Sequence, residues 1–337
     1  MRRLSFLLFL GIVWAGGGEG SNFILEHVLD SYDWHITDLP WGKNPDGTTH
    51  YLSIRIPLPR ILYHPTHGLS VFFVRGHTLE EVRRELEPRG FNITPKGEIV
   101  ALDCQPIWDF SLTKTAFQFL LVGIILFWLG RQAARAYTQS PIPRGVARWL
   151  EPVILFIRDE VVRPNLHQHS DRFLPYLLTV FFFIWLSNLF GLTPLNSNIM
   201  GNITLTFFLA LLSFILIQLN GTKSYWQHIF WYPGVPVWLK IFMMPIEIIG
   251  MFARPFALMM RLFANILAGH LMLLSGIGLI FILAEALHSA VAGYATSLLS
   301  LGLGLFVMAL ETLVAALQAY IFTMLTSVFL GMALEEH

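Results

Sequence analysis

The stretch "PFALMMRLFANILAGHLMLLSGIGLIFILAEAL", Pro255 to Leu287, decides the fold of this chain. It is apolar over the length of a membrane span, yet it holds Arg261, Asn265, His270 and Glu285. Composition of the whole chain selects the membrane. Of 337 residues, 55% are hydrophobic and only 13% are charged, against roughly 25% charged in an ordinary soluble domain. Mean hydropathy is +0.59. The formal net charge is zero, so nothing biases the chain toward nucleic acid. The single cysteine, Cys104, cannot form an intrachain disulfide and reads as a free buried thiol.

Working outward, further apolar runs occur at about Thr113–Leu129, Phe173–Leu192, Ile203–Leu219 and Ser297–Met332. Each is long enough to cross roughly 30 Å of hydrocarbon. The runs at Pro255–Leu287 and Ser297–Met332 exceed that need, so both are expected to tilt or to lie partly along the interface. A shorter run, Val237–Phe252, carries Pro245 and Glu247 and reads as a re-entrant hairpin piece. The expected fold is an all-α polytopic membrane protein with five crossings, two long tilted helices and a re-entrant hairpin.

A different kind of sequence precedes the spans. Arg2 and Arg3 followed by the apolar Leu4–Trp14 and then Ala15 and glycines have the form of a secretory signal, residues 1–20. Residues 21–110 are polar and broken by Pro and Gly. "YLSIRIPLPRIL" alternates like a strand, with Pro57 and Pro59 pushing it to a sheet edge. "HTLEEVRREL" has Thr78 three residues before Glu81, a capping box for a short helix. "KGEIVALD" reads as another strand. Residues 21–110 are therefore expected to form a small extramembrane α+β domain, with 111–337 embedded in the membrane.

Basic residues orient the chain. Arg131, Arg135, Arg144, Arg148, Arg158 and Arg163 lie between the first two spans, whereas the loop after Leu192 has none. Positive loops stay inside, which sets the N-terminal domain on the periplasmic side of the cell inner membrane and the C-terminus in the cytoplasm. "GVARWLEPVILFIRDEVV", from Gly145, reads as a helix lying on the inner surface. The chain has no GxxxxGK[ST] loop, HExxH, paired-cysteine zinc pattern or GxSxG elbow. His167 and His169 lack a third ligand nearby. No enzymatic chemistry, cofactor or metal is expected of the chain itself.

The polar residues inside the spans carry the functional reading. A mid-membrane arginine costs from about 2.5 to well above 10 kcal/mol. Arg254 is near a helix end and can snorkel to the surface, but Arg261 lies roughly 10 Å deeper. On a helix Arg261 shares a face with Ala257, Ala264, Asn265 and Ala268, small enough for another helix to pass close by. In the last span Glu311 and Gln318 share a face with Ala315 between them. His270 is a natural partner for Glu311, since imidazole and carboxylate can share and pass a proton. Glu285 and His288 form a second such pair. Each pair could equally be a structural hydrogen bond. Asn188, Asn196 and Asn202 sit at span ends, where amides are usually caps or loop residues.

At this point a family resemblance emerges. "RPFALMMRLFANILAGHL" followed by "ETLVAALQAYIFTMLTSVFL" resembles subunit a of the F-type ATP synthase, and "LEPVILFIRDEVV", "FLPYLLTVFFFIWLSNLFGLTP" and "NITLTFFLALL" extend the match from roughly Phe110 to the C-terminus. The resemblance implies a non-catalytic stator subunit that offers two proton half-channels to a rotating ring of c subunits. Its other implied partners are the peripheral-stalk b subunits, the remaining ATP synthase subunits and the lipid bilayer. By the same resemblance Arg261 matches the essential arginine, Asn265 its neighbouring asparagine, and His270 with Glu311 the acid–histidine pair. Gln318 matches a polar partner facing the arginine, Glu247 an acid on the inner side, and Asn188 an asparagine of the outer half-channel. Some bacterial members carry aspartates where this chain has Gly191, Asn196 and Met200. The outer path is therefore expected to draw on Glu311, His270, Glu285 and His288. A secondary transporter of an anionic substrate is the alternative, but the internal repeat usual for that class is not found. A membrane scaffold with structural polar residues would tolerate changes at Arg261.

Overall fold

The computed structural model describes residues 33–43, 49–65, 68–73, 83–84, 86–93, 99–101, 108–139, 145–193, 199–231, 236–286 and 290–334. Among these, only the main chain is described at 33–57, 89, 93, 101, 139, 237, 270, 273–286 and 290–300. The expected signal at 1–20, Cys104, Asn196, His288 and the capping-box Thr78 lie outside the described residues.

The chain divides into two compact units. One comprises residues 29–120 with 193–197 and holds the strands. Strand β1 (Asp33–Lys43) pairs antiparallel with β2 (Thr49–Pro57). Strand β3 (Pro59–His64) lies between β4 (Gly68–Phe73) and the short β7 (Trp108–Asp109), all antiparallel. Strands β5 (Phe91–Ile93) and β6 (Ile99–Ala101) form a third small sheet. The expected strand "YLSIRIPLPRIL" is thus two strands in two sheets, broken at Leu58 between the prolines. Its second half is central rather than an edge. Pro59 is tolerated there because it is the first residue of the strand, where its missing N–H is not needed, while its carbonyl accepts from the N–H of Leu112 (3.2 Å). Of the helix expected in "HTLEEVRREL", Arg83, Arg84 and Leu86 are helical, and a 3₁₀ turn follows at Glu87–Arg89. Leu62, Phe72, Leu86 and Phe91 make a small core.

Helix α1 (Lys114–Gln139) leads from this unit into the membrane-embedded one. There follow α2 (Val146–Phe156), a π-helical segment (Ile157–Val162), the short α3 (Arg163–Leu166), and α4 (Ser170–Gly191). Next come α5 (Ile203–Leu219), α6 (Lys223–Phe230), α7 (Val237–Ala286) and α8 (Ala290–Leu334). Among the described residues four helical stretches are long and apolar enough to cross a membrane, or up to five when the bent pair α5–α6 counts as one span. The polytopic helical membrane architecture expected from the sequence is the one observed.

The helix ends follow local chemistry. Asn202 caps α5, its side-chain oxygen accepting from the N–H of Thr204 (3.0 Å), and Thr222 caps α6 through the N–H of Tyr225 (3.3 Å). Between them the chain turns by 105°. The aromatic and basic residues gathered there suit a membrane–water boundary: Trp226 stacks on Phe230, and the Lys240 ammonium lies 4.3 Å from the Trp231 ring centre.

One expectation is corrected in position. Val237–Phe252 is not a re-entrant piece but the first part of α7, which runs unbroken through Pro245 and Pro255 to Ala286. The sharp bend falls earlier, at 220–222, between two capped helices. At 1.5 Å per residue, α7 with its 50 residues is about 75 Å long. It far exceeds the thickness of the hydrocarbon, as does the 45-residue α8, so both must incline steeply or run partly along the interface.

The core of this unit joins α4, α5, α7 and α8, with α8 packed against both α7 and α4. The Tyr176 and Ser213 hydroxyls bridge α4 to α5 at 2.8 Å. Ser327 of α8 donates to the Val161 carbonyl in the π-helical segment (3.3 Å), which also accepts from the Asn165 amide (2.6 Å). At Gly331 the two backbones approach so closely that a Cβ would strike the Asn165 carbonyl.

Candidate functional site

Long helices fix the candidate residues in register with one another. Arg261 stands in the first half of α7, and Gln318 stands on α8 opposite it. Gln318 is 2% exposed, and its amide donates to the backbone carbonyl of Arg261 (3.1 Å). A buried amide must find such a partner or bear the full cost of desolvation. The bond ties the turn that carries the arginine to α8. The Arg261 side chain is half-buried, and among the described residues nothing bonds or pairs with its guanidinium. Ala257, Ala264, Asn265 and Ala268 are all exposed. The small-residue face expected from the sequence is therefore open on this chain, with the arginine set in it.

Farther along both helices, Asn188, Gly191, Leu192, Asn265, Glu311 and Ala315 line one cavity. Its water-accessible volume is about 20 Å³, room for a single water. Asn188 is 1% exposed and its amide reaches the Ala315 carbonyl at 3.4 Å. Its Oδ1 and the Oε1 of Glu311 are buried with no hydrogen-bond partner among the described residues. Each of these buried acceptors calls for a donor, and the cavity their residues line has room for one water. A water or a carboxyl proton would supply it.

The Glu311 carboxylate lies directly against Gly269. A Cβ at position 269 would collide with it. This places the main chain of His270 beside Glu311, while the His270 side chain lies outside the described residues. The same holds for Glu285, which is in α7 by its main chain alone, and His288 is outside altogether. Glu247 sits apart near the start of α7, in a small cavity with His228, Phe230, Lys240, Met243 and Met244. Arg254, expected near a helix end, lies inside the continuous α7 and packs its guanidinium on the Phe329 ring, 5.0 Å from its centre. Among the described residues no His, Cys, Asp and Glu cluster could hold a metal ion.

Of the expected set, the structure brings together Asn188, Asn265 and Glu311 around one cavity, and Arg261 with Gln318 across one helix pair. It separates Glu247 from both. Of the places where an aspartate was missing, Gly191 lines the cavity and Met200 is buried in the core. Gly269 escaped the sequence reading, although a glycine immediately before an intramembrane histidine was a usable signal. Ser187, fully buried beside Asn188 with its hydroxyl unpartnered among the described residues, escaped too.

The chain is similar over most of its length to known proteins. A protein of Myxococcus xanthus named ATP synthase subunit a is 38% identical over 295 residues, covering 84% of this chain and 89% of its own length. A protein of Chlorobaculum tepidum named ATP synthase subunit a 2 is 37% identical over 268 residues, covering 77% of this chain and 72% of its own. One of Chloroherpeton thalassium named ATP synthase subunit a is 37% identical over 272 residues, covering 77% of each. Residues 23–109 match a family described as a domain of unknown function, DUF8433. Residues 115–331, which include every span and both halves of the arginine site, match the family described as ATP synthase A chain. The chain belongs to the ATP synthase A chain family.

Proposed function

We propose that the chain is the proton-translocating stator subunit of an F-type ATP synthase and makes or breaks no ATP bond itself. One observation carries the reading: Arg261, unpaired among the described residues, stands in an open face of small residues, on a helix braced from behind by Gln318. Such a face suits a rotating ring of c subunits, each with a lipid-buried carboxylate. Guanidinium keeps its charge in proteins, so it favours the ionised form of each passing carboxylate. It also bars protons from crossing without riding the ring. One charge moved through the membrane potential yields about 2.3 kcal/mol per 100 mV.

In this reading Asn188, Asn265, His270 and Glu311, followed by Glu285 and His288, serve the outer half-channel. Glu247 serves the inner one. Asn188, Asn265 and Glu311 lining one water-sized cavity supports the outer assignment, because a water held there would extend a proton path. The peripheral-stalk b subunits complete the stator. Residues 21–110 form a periplasmic domain behind a signal at 1–20, residues 111–337 form the membrane domain, and the C-terminus is cytoplasmic.

The test is ATP-driven acidification of inverted membrane vesicles bearing Arg261→Ala, with assembly checked by immunoblot. Pumping is expected to vanish while the complex stays assembled. Persistence near the wild-type rate would overturn the mechanism.

A further inference from the structure

The three-stranded sheet of the N-terminal unit has an unusual outer face. An antiparallel sheet with one face in water normally alternates apolar inward and polar outward. Here the inward positions of β3 are Arg60, Leu62 and His64, all buried, and Phe72 of β4 joins them. The outward positions are apolar as well. Pro59 pairs with Phe73, Ile61 with Val71, and Tyr63 with both Leu69 and Trp108. Leu69, Val71, Phe73 and Trp108 are each more than half exposed. Phe110 continues the row, stacked on Trp108 with ring centres 6.4 Å apart. Among the described residues no charged side chain belongs to this face.

The chain path says what covers it. The pairing of β3 with β7 does not stop at Asp109. The Phe110 N–H donates to the Ile61 carbonyl (2.8 Å) and the Leu112 N–H to that of Pro59 (3.2 Å), while the Ser111 hydroxyl accepts from the Ile61 N–H (3.1 Å). The sheet is thus bonded to the chain until two residues before α1 begins at Lys114. Even fully extended, the path from Phe110 to Lys114 spans at most ~14 Å. The row of aromatics is therefore held close to the start of α1, where Phe119 and Leu120 are exposed apolar residues as well. Trp and Tyr favour that boundary, where the ring is apolar and its N–H or O–H stays wet.

We infer that the outer face of the β4–β3–β7 sheet is a membrane-contacting surface, lying on the bilayer at the end where α1 begins. The domain would then be an interfacial foot on the lipid and not a freely solvated appendage.

The inference is tested on the wild-type complex, reconstituted in vesicles of phosphatidylcholine and phosphatidylglycerol. The vesicles carry a phospholipid with a diazirine near its headgroup. After illumination, adducts are mapped by peptide mass spectrometry. Adducts are expected on Leu69–Phe73 and Trp108–Phe110, with Glu87–Arg89 unlabelled. Labelling confined to the helices would overturn the inference. So would a short amine- or tyrosine-reactive cross-linker joining the sheet to another subunit or a second copy while lipid adducts are absent, because a protein would then occupy the face.

Discussion

Gln318 holds Arg261 by its backbone, not by its side chain: the amide of one donates to the carbonyl of the other across the α7–α8 pair, at 3.1 Å. Among the described residues nothing pairs with the guanidinium, and the neighbouring alanine face is exposed. Gln318→Leu removes the bond and leaves no buried charge, costing about 1 kcal/mol. The variant is expected to assemble and to pump several-fold more slowly, in contrast to the complete loss at Arg261→Ala. Initial rates of ATP-driven acidification in inverted vesicles measure this. A wild-type rate would mean that the brace is dispensable.

Gly269 is small because Glu311 lies against it. Gly269→Ala is expected to displace the carboxylate and lower pumping strongly. Adding Glu311→Asp, which shortens the acid by one methylene, should restore part of the rate if sterics are the cause. Pumping by the single and double variants at matched subunit levels decides it. A double variant worse than both singles would dismiss the steric account.

Glu311 and Asn188 line one cavity, and each has a buried oxygen without a partner among the described residues. Glu311→Gln keeps the shape and polarity but cannot release a proton. It is expected to reduce passive proton conduction in vesicles stripped of the catalytic head, with little effect on assembly. Asn188→Leu fills polar space with methyl groups and should slow conduction less severely. If Glu311→Gln conducts normally, the acid is structural.

Gly331 touches the backbone of Asn165. Gly331→Ala overpacks a buried helix contact, at a cost of roughly 1–3 kcal/mol. The apparent melting temperature of the detergent-solubilised complex should fall. The complexes that survive should pump at the wild-type rate per assembled unit, because the contact lies away from the acid cavity. An unchanged melting temperature would show that the helices yield at no cost.

Much of the fold was legible residue by residue. Apolar runs located the spans, and the caps at Asn202 and Thr222 are local signals acting over three or four residues. Arg261 announced itself by the cost of a charge in hydrocarbon. The hairpin expected at Val237–Phe252 from Pro245 and Glu247 failed, because α7 continues through Pro245 and Pro255. A helix packed along a neighbour can carry a proline whose freed carbonyl finds other partners. The proline pair at 57–59 misled in the opposite sense: it divides two sheets, and no local rule says that the second strand becomes central.

What the sequence determined by itself is what depends on composition and short-range order: a membrane protein, its spans, its helix caps and the few polar residues too costly to be accidental. Tertiary structure alone decided which of those residues meet. Gly269 against Glu311, Asn188 with Glu311 on one cavity, and Gln318 beneath Arg261 all join residues from different helices. Their encounters depend on the rotation and offset of α4, α7 and α8, which are set by the packing of many side chains at once and not by any local stretch.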